Sequence, residues 1–206
     1  IVIDLNNVTG GGGSDFELIP EGTIARAILN IQPNPVTIPE LSNTPMFKQS
    51  QSSSAKWMDV EYAIIGGQFD RRRFWHKHFF DGDSKDTDGV SKSKKISLAW
   101  LKAVLESHKN IASNDASPEA QAVRQLDPAK GGVASINGMS VCVKVGIEKS
   151  NDPQYADKNI LRVVLTPGMD GYIPNGDTPN SSPPVGGSTP PVNNGGNATV
   201  PDWAKG

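Results

Sequence analysis

The chain has one cysteine, Cys142, in 206 residues. That excludes an internal disulfide and leaves a Cys-rich zinc module without ligands. Cys142 falls in an apolar strand pattern, where a small buried side chain fits, and a reducing compartment suits it. Long apolar runs are missing: none approaches the ~18 residues a membrane-crossing helix needs. No basic stretch followed by an apolar one opens the sequence, so no secretory signal is expected. Large net charge is absent as well. The formal balance of −2 excludes a polycation of the histone or ribosomal kind. There is no Walker loop, no G-x-S-x-G elbow and no Cys–His arrangement, so neither an enzyme nor a cofactor is expected.

What is present is concentrated in one stretch. Residues 51–110 carry eleven bases against eight acids, whereas residues 1–50 carry two against five. The base excess coincides with residues 57–80, WMDVEYAIIGGQFDRRRFWHKHFF, which read as a β-hairpin. In the first arm Met58, Val60, Tyr62 and Ile64 share one face, with Trp57, Asp59 and Glu61 on the other. Gly66 and Gly67 break the strand and residues 68–70 complete the turn. In the second arm Arg71, Arg73, Trp75, Lys77 and Phe79 share a face, and Arg72, Phe74, His76, His78 and Phe80 share the other. Cations that track phosphates interleaved with rings that stack bases are what single-stranded nucleic acid requires. The plainer structural reading is an arginine-rich edge that resists edge-to-edge pairing, with aromatics filling a core.

The flanks supply the context. Residues 1–14 end in GGGGS, a flexible joint. Residues 24–31 form a strand, with Ala25, Ala27, Leu29 and Ile31 on one face. Residues 32–55, rich in Pro and Ser, read as a long loop with a short extended piece near residues 36–38. Asp81, Asp83, Asp86 and Asp88 suggest a calcium loop, but Lys85, Asp86 and Lys92 stand at the fifth, sixth and twelfth positions, where the EF-hand pattern needs other residues. A mobile loop ending in Lys92, Lys94 and Lys95 fits better. His76-x-His78 lacks further ligands at a useful spacing, so no metal is expected. The helical spacing of Leu98, Leu101, Leu105 and His108 predicts a helix over residues 96–109. Ser117-Pro118-Glu119 starts a second, short one. An Asn137-Gly138 turn leads into a strand carrying Met139, Val141, Val143, Val145 and Ile147 on one face, and residues 159–166 form the last strand. Residues 168–206, rich in Pro, Gly and Asn, read as a disordered tail in which Trp203 is a candidate docking residue for a partner.

Strand, two-strand hairpin, helix, strand, strand is the order of an OB-fold. The expected fold class is therefore mainly β with inserted helices, a five-stranded OB-fold barrel over residues 15–167 whose central hairpin commonly binds oligonucleotides. The motifs FELIPEGTIARAIL, WMDVEYAIIGGQFDRRRFW, LAWLKAVLES, INGMSVCVKVGIE and KNILRVVL, in this order, resemble those of a family of bacteriophage single-stranded DNA-binding proteins. The hairpin turn is similar to that family's G-x-[FY]-x-G-R-[KR] pattern, with Asp70 or Arg71 in the second-glycine place. The resemblance implies sequence-tolerant binding of single-stranded DNA in phage replication and recombination, in the host cell cytoplasm, with replication or recombination proteins met through the tail. It points to Arg72 and Arg73, with neighbouring aromatics, as contacts. From the residues themselves, Arg71, Arg72, Arg73 and Lys77, extended by Lys92, Lys94 and Lys95, are candidates for phosphates. Trp57, Phe69, Trp75 and Phe79 are candidates for stacking. The other reading is a phage structural or adaptor protein that uses the same hairpin as a protein-docking surface.

Overall fold

A computed structural model of the chain describes residues 17–82 and 85–176. The N-terminal arm, Asp83 and the stretch with Trp203 lie outside the described residues. Seven strands form one antiparallel sheet: β1 Ile24–Ile31, β2 Val36–Ile38, β3 Ser42–Gln49, β4 Lys56–Ile65, β5 Arg73–Asp81, β6 Ser140–Glu148 and β7 Lys158–Leu165. Two α-helices, α1 Lys92–Lys109 and α2 Pro118–Val123, and two 3₁₀ turns lie between β5 and β6.

β4 organises the sheet because it is long enough to serve three neighbours. One edge pairs with β5 over most of its length, from Trp57↔Phe79 to Ala63↔Arg73. The other edge pairs first with β3 (Lys48↔Trp57) and then with β1 (Ile31↔Val60 to Arg26↔Ile65). Beyond β1 follow β6 and β7. The hydrogen-bonded sheet thus ends at β2, on the short β3 branch, and at β5 and β7, which run in the same direction and touch across a seam without ladder bonds. The expected mainly β class holds, while the expected five-stranded barrel differs in strand number: among the described residues there are seven strands, and their sheet is not closed.

The core is the inner face of these strands, as the alternation predicts. Ala27, Leu29, Met58, Val60, Tyr62, Ile64, Phe74, Phe80, Val141, Val143 and Val145 are all buried, each large one worth about 1.5–3 kcal/mol. Trp100, Leu101, Val104 and Leu105 of α1 cover it. Cys142 is buried, and Met139 is partly buried against the same core.

Four local features depart from the expectations. The stretch read as loop contains β3, despite Pro45, and β3 buries Met46 and Phe47. α1 begins four residues earlier than its apolar stripe, because the Ser91 side chain caps it by accepting from the Lys94 N–H. Lys92, Lys94 and Lys95 are therefore in its first turn rather than at the end of a loop, and Leu98 lies outside the buried stripe. Arg71 stands outside β5, with a left-handed φ of 65°. Arg71 N–H and Arg72 C=O both bond to Ile64, so two residues oppose one in a bulge whose first position usually takes glycine. Residues 168–176, expected to open the tail, pack as a strap across β1, β6 and α1. Arg26 donates to the Ile173 carbonyl, the Tyr172 hydroxyl bonds to Ser107 and Asn110, and Asn175 donates to the His108 carbonyl. Gly171 permits that closeness, since a Cβ there would stand 2.3 Å from Ile24 Cδ1.

Candidate nucleic-acid interface

The outer face of β4–β5 is built by strand alternation and register together. Four cross-strand pairs follow one another along it: Trp57 with Phe79, Asp59 with Lys77, Glu61 with Trp75, and Ala63 with Arg73. Trp75 is 55% exposed and Phe79 39%. The Trp57 and Phe79 rings are tilted at 5.8 Å between centroids, and Lys77 Nζ stands 5.6 Å over the Trp57 ring. The indole N–H of Trp57 is buried without a hydrogen-bond partner among the described residues. Two residues along a strand span roughly 6.8 Å, so Trp75 lies about 13 Å from Phe79 with Lys77 between them.

Charges on this face are paired in advance. Lys48 of β3 reaches Asp59 at 2.6 Å, and Arg73 lies 3.5 Å from Glu61, which also accepts from Asn30 at 3.3 Å. Alternation alone sets Asp59 and Glu61 on the aromatic face. The contribution of Lys48 is hidden in the sequence because β3 is.

The other candidates are distributed differently. Arg71 sits in the bulge beside Asp70, its side chain 92% exposed. Arg72 donates to the Glu17 carbonyl at 2.6 Å and so ties the start of the described chain to the turn. Phe69 packs against the hydrophobic core instead of joining the aromatic row, because the turn folds it back there. Lys94 faces Glu40 at 3.8 Å, and Lys95 is held at 2.8 Å by both Asp86 and Asp88. Two carboxylates of the calcium-like run thus grip a lysine. Lys92 is exposed at the start of α1. The site that the structure gathers is therefore Trp57, Arg73, Trp75, Lys77 and Phe79 with Lys48, Asp59 and Glu61. Phe69, Arg72, Lys94 and Lys95 stand outside it or are already engaged.

Directly behind β5 lies a polar network. Trp100 Nε1–H donates to the Tyr62 hydroxyl at 3.0 Å, and that hydroxyl lies 3.0 Å from His78 Nε2. Tyr62 is fully buried, so its own O–H needs an acceptor, and His78 Nε2 supplies it. This places the imidazole proton on Nδ1. The His78 ring also stacks on Trp100 at 3.6 Å. Burial pushes the His78 pKa well below the usual imidazole range, with His76 adding to the shift. Burial lowers His76 too, opposed in part by Glu148. His78 is thus a packed neutral side chain, and among the described residues no group of three His, Cys, Asp or Glu side chains is placed to hold a metal ion. No helix among them is long and apolar enough to cross a membrane. No protein-family model, curated protein or solved structure matches this chain.

Proposed function

We propose that the chain is a sequence-tolerant single-stranded DNA-binding protein of a bacteriophage, working without catalysis in DNA replication or recombination in the host cytoplasm. The observation that carries this reading is the row Trp57, Phe79, Lys77, Trp75 and Arg73 on the outer face of one hairpin, where the exposed Phe79 and Trp75 rings alternate with cations and the half-buried Trp57 ring lies beside Phe79. A base stacked on such a platform gains about 1–3 kcal/mol, and every base has a face to stack. The strand order supports the same reading. Without the β2–β3 hairpin, the pairing β5-β4-β1-β6-β7, with α1 between the third and fourth of these strands along the chain, follows the order expected of an OB-fold. In this reading the β5–β7 seam closes the barrel through side chains, and β2–β3 is an insertion. Trp203 then serves as the docking point for replication or recombination proteins.

The test is fluorescence anisotropy with a labelled oligo-dT of about 30 nucleotides, several OB-type sites long. Binding is expected to be abolished by Trp75→Ala combined with Phe79→Ala. Affinity is expected to fall with salt at a log–log slope of roughly −0.7 to −2, because each neutralised phosphate contributes about −0.7 and, of the three cations on the face, two are already paired. Failure to bind oligo-dT at low salt would overturn the reading and leave the hairpin as a protein-docking surface.

A further inference from the structure

We propose that Asp59 and Glu61 make this face selective for single-stranded over duplex nucleic acid; the inference rests on the function proposed above. Two carboxylates in the middle of a phosphate-binding surface are a cost to affinity, and Asp and Glu are poor strand formers. Glu61 is 8% exposed, so its charge is also largely removed from water. In the structure they occupy cations. Asp59 holds Lys48 at 2.6 Å and faces Lys77 across the strands, while Glu61 lies 3.5 Å from Arg73. The cluster of Lys48, Arg73 and Lys77 against Asp59 and Glu61 sums to 3 − 2 = +1.

A duplex presents phosphates on its outside and keeps its bases paired, so it has no ring to offer Trp75, Phe79 or Trp57. It could hold this surface only through phosphates lying across the middle, where the carboxylates repel them and the cations are spent. A single strand lays its bases over the rings in the centre and leaves its phosphates at the sides. The acidic pair therefore costs the single strand little and the duplex much. A duplex is also the more densely charged ligand, so each cation set free releases more counterions from it than from a single strand.

The experiment compares Asp59→Asn and Asp59→Asn/Glu61→Gln with the unaltered full-length chain. Anisotropy is measured on labelled oligo-dT and on duplex of the same length at one low salt concentration. Both substitutions keep shape and one acceptor oxygen, and Asp59→Asn alone leaves the more buried Glu61 in place. Glu119→Gln, on α2, makes the same one-unit change in net charge as Asp59→Asn, away from the face. The expected result is a gain of about tenfold or more on duplex, the scale of one close charge repulsion. On oligo-dT the same substitutions should change affinity by less than about threefold, and Glu119→Gln should move neither. A gain on duplex no larger than that on oligo-dT, or an equal duplex gain from Glu119→Gln, overturns the proposal. Loss of the parent reading shows separately, as absence of oligo-dT binding by the unaltered chain.

Discussion

One hairpin, β4–β5, carries two unlike faces, and the difference lies in how each satisfies its polar groups. On the inner face Tyr62 stacks on Phe74 at 5.2 Å and shares its hydroxyl with Trp100 and His78, so these three polar groups are spent on one another. On the outer face the Trp75 and Phe79 rings are open, the charges pair locally across the strands, and the buried indole N–H of Trp57 has no hydrogen-bond partner among the described residues. The same alternation of side chains produces both. Period two decides which residues part company, and the curl of the sheet decides which set is enclosed.

The sharpest way to break this comparison is to truncate adjacent aromatics that point opposite ways. Phe74→Ala removes a ring from the core and is expected to cost about 3–5 kcal/mol of stability, read from urea unfolding. Trp75→Ala, one residue on, is expected to cost under about 0.5 kcal/mol of stability and about 1–3 kcal/mol of oligo-dT binding. Equal destabilisation by the two changes would mean that the outer face is structural, and intact binding by Trp75→Ala would remove its assigned role.

The sequence makes this two-faced hairpin legible because both arms keep strict period two over many residues, and the turn glycines mark its centre. The helix and the Asn137-Gly138 turn are readable on equally local grounds. β3 is hidden because Pro45 interrupts its pattern and only Lys48 and Gln49 pair with β4. The first turn of α1 is hidden because three lysines there look like loop, and nothing in the sequence distinguishes Ser91 as the cap from the serines around it. The strap is hidden for a different reason. Tyr172, Ile173 and Asn175 are held by hydrogen bonds to Ser107, Arg26 and His108, all distant in sequence, and composition cannot register such bonds. At the site, the division of the second arm into two faces is legible, but both faces carry rings and cations, so which one turns outward depends on the curl of the sheet, and the pairing of Lys48 with Asp59 depends on a strand that the sequence conceals.

A smaller effect separates the faces by pH. Burial depresses the pKa of His78, and those of His76 and His108 are lowered as well. An unfolded histidine takes up a proton near pH 6.5, whereas the folded ones resist it. Below that pH the unfolded state binds more protons. Stability is therefore full above about pH 6.5 and falls as pH drops towards the folded values, by up to ~1.4 kcal/mol per unit for one histidine. His78→Gln, which keeps an acceptor for the Tyr62 hydroxyl, is expected to flatten this slope in urea midpoints measured from about pH 5 to 8. Unchanged slopes would mean that His78 is not the group responsible. The outer row carries no histidine, so oligo-dT affinity should stay level over the same interval while the protein remains folded.

The smallest effect concerns the turn that joins the faces. Arg71 holds a left-handed backbone at φ 65° in the bulge, a conformation that costs a residue with a Cβ about 1–2 kcal/mol. Arg71→Gly relieves that cost and gives part of it back as chain entropy, for an expected net gain of about 0.5–1 kcal/mol. Arg71→Ala removes the same guanidinium but keeps the Cβ, so the difference between the two variants in urea midpoint isolates the backbone. Both should weaken oligo-dT binding by the same small factor, since Arg71 lies beyond the end of the aromatic row and its charge is lost in each. If Arg71→Gly were no more stable than Arg71→Ala, the bulge would be unstrained. The arginine in a glycine position would then have to be explained by what its side chain does, which would move it from the edge of the site towards its centre.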